Sequence, residues 1–356
     1  MVGVSRFNRR RPLLLAALAA LFIAALAGTA SAAHPNRSTS AKGPQPASPA
    51  AWKKLIANAK SEGSVTIYSV QSPTGLQDAA NAFKSKYGIS VTVNRNVDSV
   101  LFSQINAEEG THKAIADIWV PSPKRFVYGA VQNGWVVDAV GPNFFKKQFD
   151  RKTYMISKAF IVGSAVLGMT WNTQAYKGTI TGIDDFTKPE FKGKIGVPDA
   201  RVSQSFMDWY LWAEAKYGKS ILQKLAAQNP KIYPSVLPMT QAVASGELAG
   251  APCGSGTAVD LKGQGAPVDY KVLKDNWNAP YYGMILKQAP HPAAAQLLAD
   301  FLISPEGQKY ADHGFGADYP NVEGTYYAKP RIVKLSDFTP AKVKAFTDQW
   351  TSLFVH

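Results

Sequence analysis

The sequence contains a single cysteine, Cys253, among 356 residues. No intramolecular disulfide can therefore form, and no cysteine follows the N-terminal segment as an attachment point for a lipid. Histidine is also scarce, because only five are present and none has a partner at the spacing of a zinc site or a catalytic triad. Neither the lysine-bearing glycine loop of a nucleotide site nor a dinucleotide fingerprint occurs. We therefore expect no metal and no cofactor.

The sequence also lacks a membrane-spanning run. The apolar stretch Leu13–Ala27 is too short, since a spanning helix needs about 20 residues. Hydrophobic residues make up 46% of the chain and charged residues 18%, with a mean hydropathy of −0.13. This balance excludes a mostly disordered chain and a multi-span membrane protein. The length is sufficient for two or three domains.

Acidic residues are few, because 25 Asp and Glu stand against 39 Lys and Arg, which gives a net charge of +14. Residues 1–32 contain four arginines and no acid, so the remainder has 35 basic residues against 25 acidic ones. The lysines of this remainder are dispersed and form no cluster with arginines and aromatic residues. We therefore expect no nucleic-acid partner, and the positive charge favours solubility or attracts anions.

The N-terminus has the pattern of an export signal. A basic head, Arg6–Arg11, precedes the apolar stretch, and the small residues Ala30–Ala32 stand where a signal peptidase cleaves. We predict that residues 1–32 are a signal peptide cleaved after Ala32, and that residues 33–49 are a flexible leader. The arginines permit either the Sec or the twin-arginine route. The mature protein is expected to be periplasmic or secreted, without a lipid anchor.

Strand and helix patterns alternate along the rest of the chain. Val65–Tyr68 is an apolar strand, a helical face ends before Gly88, and apolar residues then alternate from Ile89 to Val93. This alternation predicts an α/β fold with mostly parallel sheets flanked by helices. The number of elements exceeds what one such sheet holds, so we predict two lobes. Further strands are predicted near residues 165–171, 194–197, 248–252, 268–273 and 283–286.

Ligands of open α/β sheets bind at the carboxyl ends of the strands, beside helix N-termini. Four strand-to-helix turns rich in hydroxyl groups, glycine or proline are therefore the candidate site: residues 69–74, 121–123, 198–204 and 253–257. Two tyrosines that precede the predicted strand 283–286 are a candidate surface for an apolar part of the ligand. The predicted ligand-binding residues are Ser69, Gln71, Ser72, Ser122, Arg201, Ser203, Gly254, Ser255, Thr257, Tyr281 and Tyr282.

The charges in the four turns predict the kind of ligand. Asp199 is their only acid and Arg201 is their only cation. A cationic ligand would lack carboxylates to replace its hydration, whereas an anion would meet Arg201, hydroxyl groups and helix N-termini. We therefore predict a small organic anion bearing a phosphate, phosphonate or carboxylate. Two alternatives stay open: the hydroxyl groups could serve only as helix caps, and Arg201 could pair with Asp199 at the surface.

Cys253 lies in one of these turns and is the candidate nucleophile of an alternative function, an exported enzyme. A neighbouring helix N-terminus would lower the pKa of its thiol, and Glu247 or Asp260 could act as the base. A lone cysteine at the end of a buried strand is more often inert packing. We therefore predict that the protein is not an enzyme, with the Cys253 enzyme as the alternative.

Eight segments of the sequence resemble a known family. They are Val65–Ser69, Ala116–Val120, Met169–Thr173, Asp184–Phe186, Lys192–Pro198, Ala244–Leu248, Ala289–Ala295 and Phe301–Gln308. These segments are similar to the family 1 extracellular solute-binding proteins of ABC transporters, and in particular to the ferric-iron-binding-like branch. The resemblance covers about residues 51–325. It implies a two-lobed type II periplasmic-binding fold, with two crossovers between the lobes and one ligand in the cleft.

The sequence departs from the iron-binding branch at its ligand positions. That branch has a tyrosine pair after the Gly-Glu-Leu strand, where this chain has Ala251–Ser255. The branch commonly has a histidine after the first strand, where this chain has Gln71 and Ser72. Ferric iron requires hard oxygen ligands. The resemblance therefore carries over the fold and the transport role, and we predict that ferric iron is not the ligand.

The predicted domains follow from the resemblance. Residues 50–164 and 275–325 form lobe 1, residues 165–274 form lobe 2, and residues 326–356 form a C-terminal segment whose helix packs on the lobes. We predict the substrate-binding component of an ABC importer, which captures its solute outside the inner membrane. The expected partners are a small-molecule ligand and the inner-membrane ABC permease, and the protein is expected to be a monomer. Ligand binding is expected to close the lobes about a hinge.

Overall fold

The computed structural model describes residues 44–327 and 329–355. The predicted signal peptide, its cleavage site and residues 33–43 of the predicted leader lie outside the described residues. The α-helices are α1 (Pro49–Glu62), α2 (Pro73–Tyr87), α3 (Asp98–Thr111), α4 (Lys124–Gln132), α5 (Arg151–Tyr154), α6 (Gln204–Tyr217), α7 (Ile221–Ala226), α8 (Val236–Ala244), α9 (Ser255–Gly263), α10 (Pro292–Leu302), α11 (Pro305–Ala311) and α12 (Pro340–Phe354). The strands are β1 (Ser64–Ser69), β2 (Ser90–Arg95), β3 (Ile118–Val120), β4 (Val136–Val137), β5 (Met155–Ile156), β6 (Ala159–Asn172), β7 (Gly196–Pro198), β8 (Lys231–Tyr233), β9 (Gly250–Gly254), β10 (Val268–Lys271), β11 (Asn278–Leu286), β12 (Gly316–Ala317) and β13 (Tyr326–Tyr327).

Local capping signals determine where the first helices begin and end. At the start of α1, the Ser48 side chain accepts the N–H of Ala51 at 3.3 Å, and Pro49 occupies the first helical position. Helix α2 begins in the same way at Ser72. It ends at Gly88, whose φ of 77° lies in the left-handed region that favours glycine. The end of α2 at Gly88 agrees with the sequence prediction.

The main sheet is built from parallel strands that are joined to two long antiparallel strands. Strand β1 pairs parallel with β2 and β3, and β3 pairs antiparallel with β11. Strand β11 pairs antiparallel with β6. The first half of β6 also pairs with β5 and β12, and its second half pairs with β9 and β10. Helices flank these strands, so the predicted α/β class is confirmed.

The two largest hydrophobic cores mark the two lobes, and a third, smaller core is formed by buried residues between positions 239 and 268. The first core is formed by buried residues between positions 59 and 162 and between positions 281 and 322. The second core is formed by buried residues between positions 167 and 279 and between positions 338 and 354. Strand β6 contributes Val162 to the first core and Leu167 to the second, while β11 contributes Ala279 to the second and Tyr281 to the first. These two strands are therefore the crossovers between the first and second lobes.

Strand β11 begins earlier than the sequence predicts. It spans Asn278–Leu286, so Tyr281 and Tyr282 lie within the strand and not before it. The pairing of β11 with β6 shifts register between Pro280 and Tyr282. Proline has no N–H for the ladder, and an internal proline therefore hides the start of a strand in the sequence pattern. The residue bounds predicted for the two lobes stay a prediction.

The C-terminal helix α12 packs on the second lobe. Phe346, Trp350 and Phe354 lie against Tyr210 of α6, with ring centroids 5.7–6.4 Å apart. All four side chains are buried in the second core. Among the described residues, none of the helices combines the length and apolar character that a membrane crossing requires.

Candidate functional site

A cavity of about 260 Å³ lies between the two lobes, next to the crossover strands. Its wall includes Val70 and Tyr281 of the first core and Leu167 and Trp277 of the second. Small-molecule sites are commonly about 300–1,000 Å³. This cavity lies just below that range, so its volume is suited to a ligand of few atoms. Its polar lining residues include Arg95, Asp98, Ser122, Ser203, Ser205 and Ser235.

Three helices begin at the cavity wall. The N-cap residues of α3, α6 and α8 are Val97, Ser203 and Ser235, and all three line the cavity. The Ser203 hydroxyl accepts the N–H of Ser205 at 3.2 Å, and the Ser235 hydroxyl accepts the N–H of Leu237 at 3.4 Å. Helix N-termini carry a partial positive charge, so their arrangement favours a negative group in the cavity.

Arg95 supplies the positive charge of the cavity wall. It is the last residue of β2, at the carboxyl end of the strand. Its Nε donates to the Gln71 carbonyl at 3.3 Å, and an Nη atom is 3.5 Å from the Val70 carbonyl. Both carbonyls belong to the turn after β1, which is the neighbouring parallel strand. These contacts orient the guanidinium without neutralising its charge.

Asp98 supplies a negative charge to the same wall. It is the first residue of α3, and its Oδ1 accepts the N–H of Ser122 at 3.1 Å. Desolvation raises the pKa of this carboxyl to about 7, against the lowering effects of the Ser122 hydrogen bond and of the Arg125 and Arg95 charges. Because its pKa is raised in this way, the Asp98 carboxyl can gain or lose its proton near neutral pH when a charged group of a ligand binds beside it.

The second lobe contributes an apolar surface centred on Trp277. The indole is buried, and its Nε1 donates to Asp208 Oδ2 at 2.8 Å. Arg331 donates to the same carboxylate, from Nε at 2.9 Å and from an Nη atom at 3.2 Å. Phe206 and Leu167 line the cavity beside this indole. The hydrogen bonds through Asp208 hold the ring in one orientation, so the apolar surface is preformed.

Direct contacts connect the two sides of the cavity. The Ser122 hydroxyl is 2.9 Å from the Ser205 hydroxyl at the start of α6. Lys124 Nζ, two residues further along the chain, donates to the Val333 carbonyl at 3.2 Å. A small pocket of about 20 Å³ adjoins this contact and is lined by Ser122, Ser205 and Tyr282.

Three of the predicted ligand-binding residues line the cavity, namely Ser122, Ser203 and Tyr281. Tyr282 lies against the small adjoining pocket. The other seven do not contribute to the cavity wall; they are Ser69, Gln71, Ser72, Arg201, Gly254, Ser255 and Thr257.

The structure gives several of these seven residues other partners. Ser69 is buried and donates to Gln71 Oε1 at 3.1 Å, while Ser72 caps α2. The Ser255 hydroxyl is buried and donates to the Gly314 carbonyl. Ser72 and Ser203 both cap helices, and Ser203 also lies on the cavity wall.

Arg201, which the sequence predicts as the cation of the site, does not line this cavity. Its Nε and an Nη atom donate to the two oxygens of Asp199 at 2.9 and 2.7 Å, and its guanidinium lies 5.2 Å from the Trp350 ring centroid. The alternative of a local pair with Asp199 is confirmed. The two residues are close in sequence, so their pairing costs little conformational entropy. Arg201 therefore pairs with Asp199 more readily than with a ligand in the cavity.

The structure contradicts the expectation of a low thiol pKa at Cys253. This residue lies inside β9 and is fully buried, and burial raises the pKa of its thiol to about 12. A thiol with such a pKa is protonated at neutral pH and is a poor nucleophile. The alternative of an exported enzyme relied on a low pKa of this thiol, and it therefore has no supporting observation.

The lining residues that the sequence prediction did not include are the majority, and Arg95, Asp98 and Trp277 are among them. A signal for the first two was present, because β2 and α3 are joined by a short strand-to-helix turn that follows Arg95 and precedes Asp98. This turn lacks the glycine, proline and hydroxyl clusters by which the other turns were selected. Trp277 had no comparable signal, since its position depends on the pairing of β11 with β6.

In the part of the chain that the structure describes, no three His, Cys, Asp or Glu side chains lie together as a metal site would require. The prediction about ferric iron stays a prediction.

Comparisons with known proteins agree with the two-lobed architecture. A family model described as bacterial extracellular solute-binding protein matches residues 65–316. Iron-bound HitA from Pseudomonas aeruginosa is 17% identical and has a TM-score of 0.61, with 81% of this chain and 99% of that chain covered. AfuA from Actinobacillus pleuropneumoniae, with fructose-6-phosphate bound, is 21% identical, has a TM-score of 0.62, and covers 82% of this chain and 98% of its own.

A third solved structure is the substrate binding protein of an ABC transporter from Agrobacterium tumefaciens. It is 16% identical and has a TM-score of 0.70, with 82% of this chain and 94% of that chain covered. At these identities the structural likeness shows the fold alone. No curated protein matches the sequence.

Proposed function

The chain belongs to the bacterial extracellular solute-binding proteins, and from this premise we propose that it captures a small molecule bearing an anionic group and delivers it to an ABC permease. The observation that carries the proposal is the cavity between the lobes, with the Arg95 guanidinium on its wall. Two of the three helices that begin at this wall belong to the second lobe, so an anion would draw on both lobes.

The anionic group would bind at Arg95. A guanidinium has five N–H donors in a planar fork, and two of the Arg95 guanidinium nitrogens contact backbone carbonyls of the described residues. Hydrogen bonds to charged groups contribute about 1.5–3 kcal/mol each, so a few of them are sufficient for micromolar binding. From the predicted ligand-binding residues, we propose that Ser122, Ser203 and Tyr281 contact the ligand.

The crossover strands supply a mechanism for capture. We infer that the lobes rotate about the segments where β6 and β11 leave one core and enter the other, near Gly163 and Pro280. Closure would bring Arg95 and Trp277 to opposite sides of the ligand and exclude water from it. Closed and open forms would present different surfaces to the permease.

Location and assembly are part of the same proposal. The N-terminal export pattern and the extracellular family description both support a protein that works outside the inner membrane. We propose that it acts there as a monomer, because one chain supplies both walls of the cavity.

A thermal-shift screen tests the proposed function. Organic phosphates, phosphonates and carboxylates are compared with polyamines and neutral sugars. A ligand at 100 times its Kd should add about 2.7 kcal/mol of stability. The proposal is contradicted when only cations or neutral sugars stabilise the protein, or when Arg95→Gln leaves the affinity for an anionic hit unchanged.

Small-angle scattering tests the mechanism of capture. Saturation with a tight ligand should reduce the radius of gyration, because the lobes close around it. A radius that stays the same at saturation would argue against the hinge.

A further inference from the structure

We propose that the captured molecule is a small zwitterion, whose anionic group binds Arg95, whose ammonium group binds Asp98, and whose apolar part lies against Trp277. This inference rests on the proposed function and specifies its ligand class. It is carried by the geometry of the cavity, which places one charge of each sign on one wall and an apolar surface on the other.

The two charged groups lie close together in the chain and in the first lobe. Arg95 ends β2 and Asp98 begins α3, and both line the cavity. Within residues 44–327 and 329–355, neither side chain forms an ion pair with another side chain. Asp98 accepts one hydrogen bond from protein, from the Ser122 N–H, so its carboxylate retains capacity for a ligand.

The charge balance of the wall selects against a simple ion. Among the described residues that line the cavity, Arg95 and Asp98 are the charged ones. A pure anion at Arg95 would bring negative charge towards Asp98, and a pure cation at Asp98 would bring positive charge towards Arg95. A zwitterion pairs both groups, so that neither charge is buried without a partner.

The raised pKa of Asp98 agrees with this assignment. Desolvation raises that pKa to about 7, although the charges of Arg125 and Arg95 lower it. An ammonium group within contact distance would stabilise the carboxylate and lower its pKa. A rival arrangement is a protonated Asp98 that donates a hydrogen bond to a pure anion. The two arrangements differ in what removal of the Asp98 charge does.

The ligand series isolates the ammonium group. The standard L-amino acids are screened by thermal shift together with the anions of the previous screen. For each amino acid that binds, calorimetry compares it with its deaminated acid and its decarboxylated amine, such as phenylalanine with phenylpropanoate and phenethylamine. We expect the zwitterion to bind at least about tenfold more tightly than either counterpart, because each lost charge-assisted hydrogen bond is worth about that factor.

Two variants locate the charges of the ligand on the wall. Asp98→Asn should raise the Kd of the zwitterion about tenfold or more, whereas its deaminated acid should bind at least as tightly as before, because the variant lacks the negative charge that opposes an anion. That acid therefore also reports that the variant is folded. Arg95→Gln should weaken the binding of both molecules.

Each variant has a matched control outside the cavity. Arg151→Gln removes a guanidinium that donates to a backbone carbonyl, that of Phe144, at 3.3 Å. Asp300→Asn removes a carboxylate that accepts a backbone N–H, that of Asn143, at 2.7 Å, and whose pKa burial raises to about 6. Both controls should bind the zwitterion with unchanged affinity.

The outcomes separate the two proposals. The inference is overturned, and the proposed function stands, when anions without an amino group bind and the amino acids do not. Asp98→Asn that binds the zwitterion as tightly as the unmodified protein also overturns the inference, because a neutral hydrogen-bond donor then replaces Asp98 without loss, as the protonated arrangement expects. Absence of a shift with every probe overturns the proposed function itself.

Discussion

The hydroxyl oxygens of Ser122 and Ser205 lie 2.9 Å apart and join the two lobes at the edge of the cavity. Ser122 follows β3 in the first lobe, and Ser205 lies in the first turn of α6 in the second. The backbone N–H of Ser122 also donates to Asp98. One residue therefore connects the charged wall of the cavity to the helix on the opposite side.

Removal of this contact should favour the open form. Ser205→Ala deletes one hydroxyl and retains the backbone of α6. A hydrogen bond contributes about 0.5–1.5 kcal/mol net, so ligand binding should weaken about two- to tenfold. Calorimetry measures the affinity, and small-angle scattering should show a larger radius without ligand. Ser352→Ala is the control, because Ser352 donates to the Gln349 carbonyl on an exposed helix surface. Equal affinities for the two variants would refute the role of the contact.

Asp208 should be required for stability as well as for the orientation of Trp277. In Asp208→Ala, the buried Trp277 indole loses its acceptor and Arg331 loses its carboxylate. The Arg331 side chain is 41% exposed, so water screens its part of the loss. We expect the free energy of unfolding to fall by about 1–3 kcal/mol in urea denaturation. Asp348→Ala, which breaks an exposed pair with Lys344, should cost less than about 0.5 kcal/mol.

Gly163 in the crossover strand should not tolerate a side chain. Its φ is 102°, and a Cβ at this position would clash with the Asp312 carboxylate. Gly265 also has a positive φ, of 87°, but a Cβ there would meet open space. Backbone strain should destabilise both alanine variants. The clash should lower the free energy of unfolding of Gly163→Ala by about 1–3 kcal/mol more than that of Gly265→Ala. Adding Asp312→Ala should restore part of this difference. Similar losses at both glycines in thermal denaturation would disprove the clash.

Two buried carboxyls beside the crossover should make stability depend on pH. Burial raises the pKa of Asp318 to about 8, and burial together with the charge of Asp318 raises that of Asp312 well above its ordinary value. The folded state therefore retains protons that the unfolded chain releases above about pH 4. Stability should fall as the pH rises from about 4 to about 8, by a few kcal/mol in total. Urea denaturation across this range should show a smaller slope for Asp318→Asn.

Asp185 provides a control of opposite sign. Burial raises its pKa, but hydrogen bonds from Lys188 and Thr181 outweigh this effect and lower that pKa to about 2. Its contribution to stability is present above about pH 4 and is lost as the pH falls towards 2. Asp185→Asn should leave the slope between pH 4 and 8 unchanged. The same slope in Asp318→Asn and in the unmodified protein would contradict the assignment to Asp318.

Cys253 should be inert in the folded protein. Its thiol is fully buried and its pKa is raised to about 12, so a disulfide reagent should label it only after unfolding in urea. Cys253→Ser should retain ligand affinity within about twofold. Rapid labelling of the native protein, or a turnover that Cys253→Ser abolishes, would instead favour the enzyme alternative.

The sequence by itself determined the features that short-range interactions encode. Ser48 and Ser72 mark helix starts because a hydroxyl can accept an N–H a few residues away, and Gly88 marks an end because glycine adopts positive φ without strain. The alternation of strand and helix predicts the α/β class in the same way. These signals depend on neighbours within about one helical turn, so they can be read without knowledge of the fold.

Only the tertiary structure decided which residues form the cavity. Arg95 ends strand β2 and Arg201 follows strand β7, yet Arg95 lies on the cavity wall and Arg201 pairs with Asp199. The difference arises because β2 aligns Arg95 with Ser69 of β1, whose following turn faces the second lobe. Trp277 reaches the opposite wall through the pairing of β11 with β6. The periodicity of apolar residues indicates that a strand is buried, but it does not indicate which strand it pairs with. The residues of the cavity wall are therefore determined by pairing between strands that are distant in sequence.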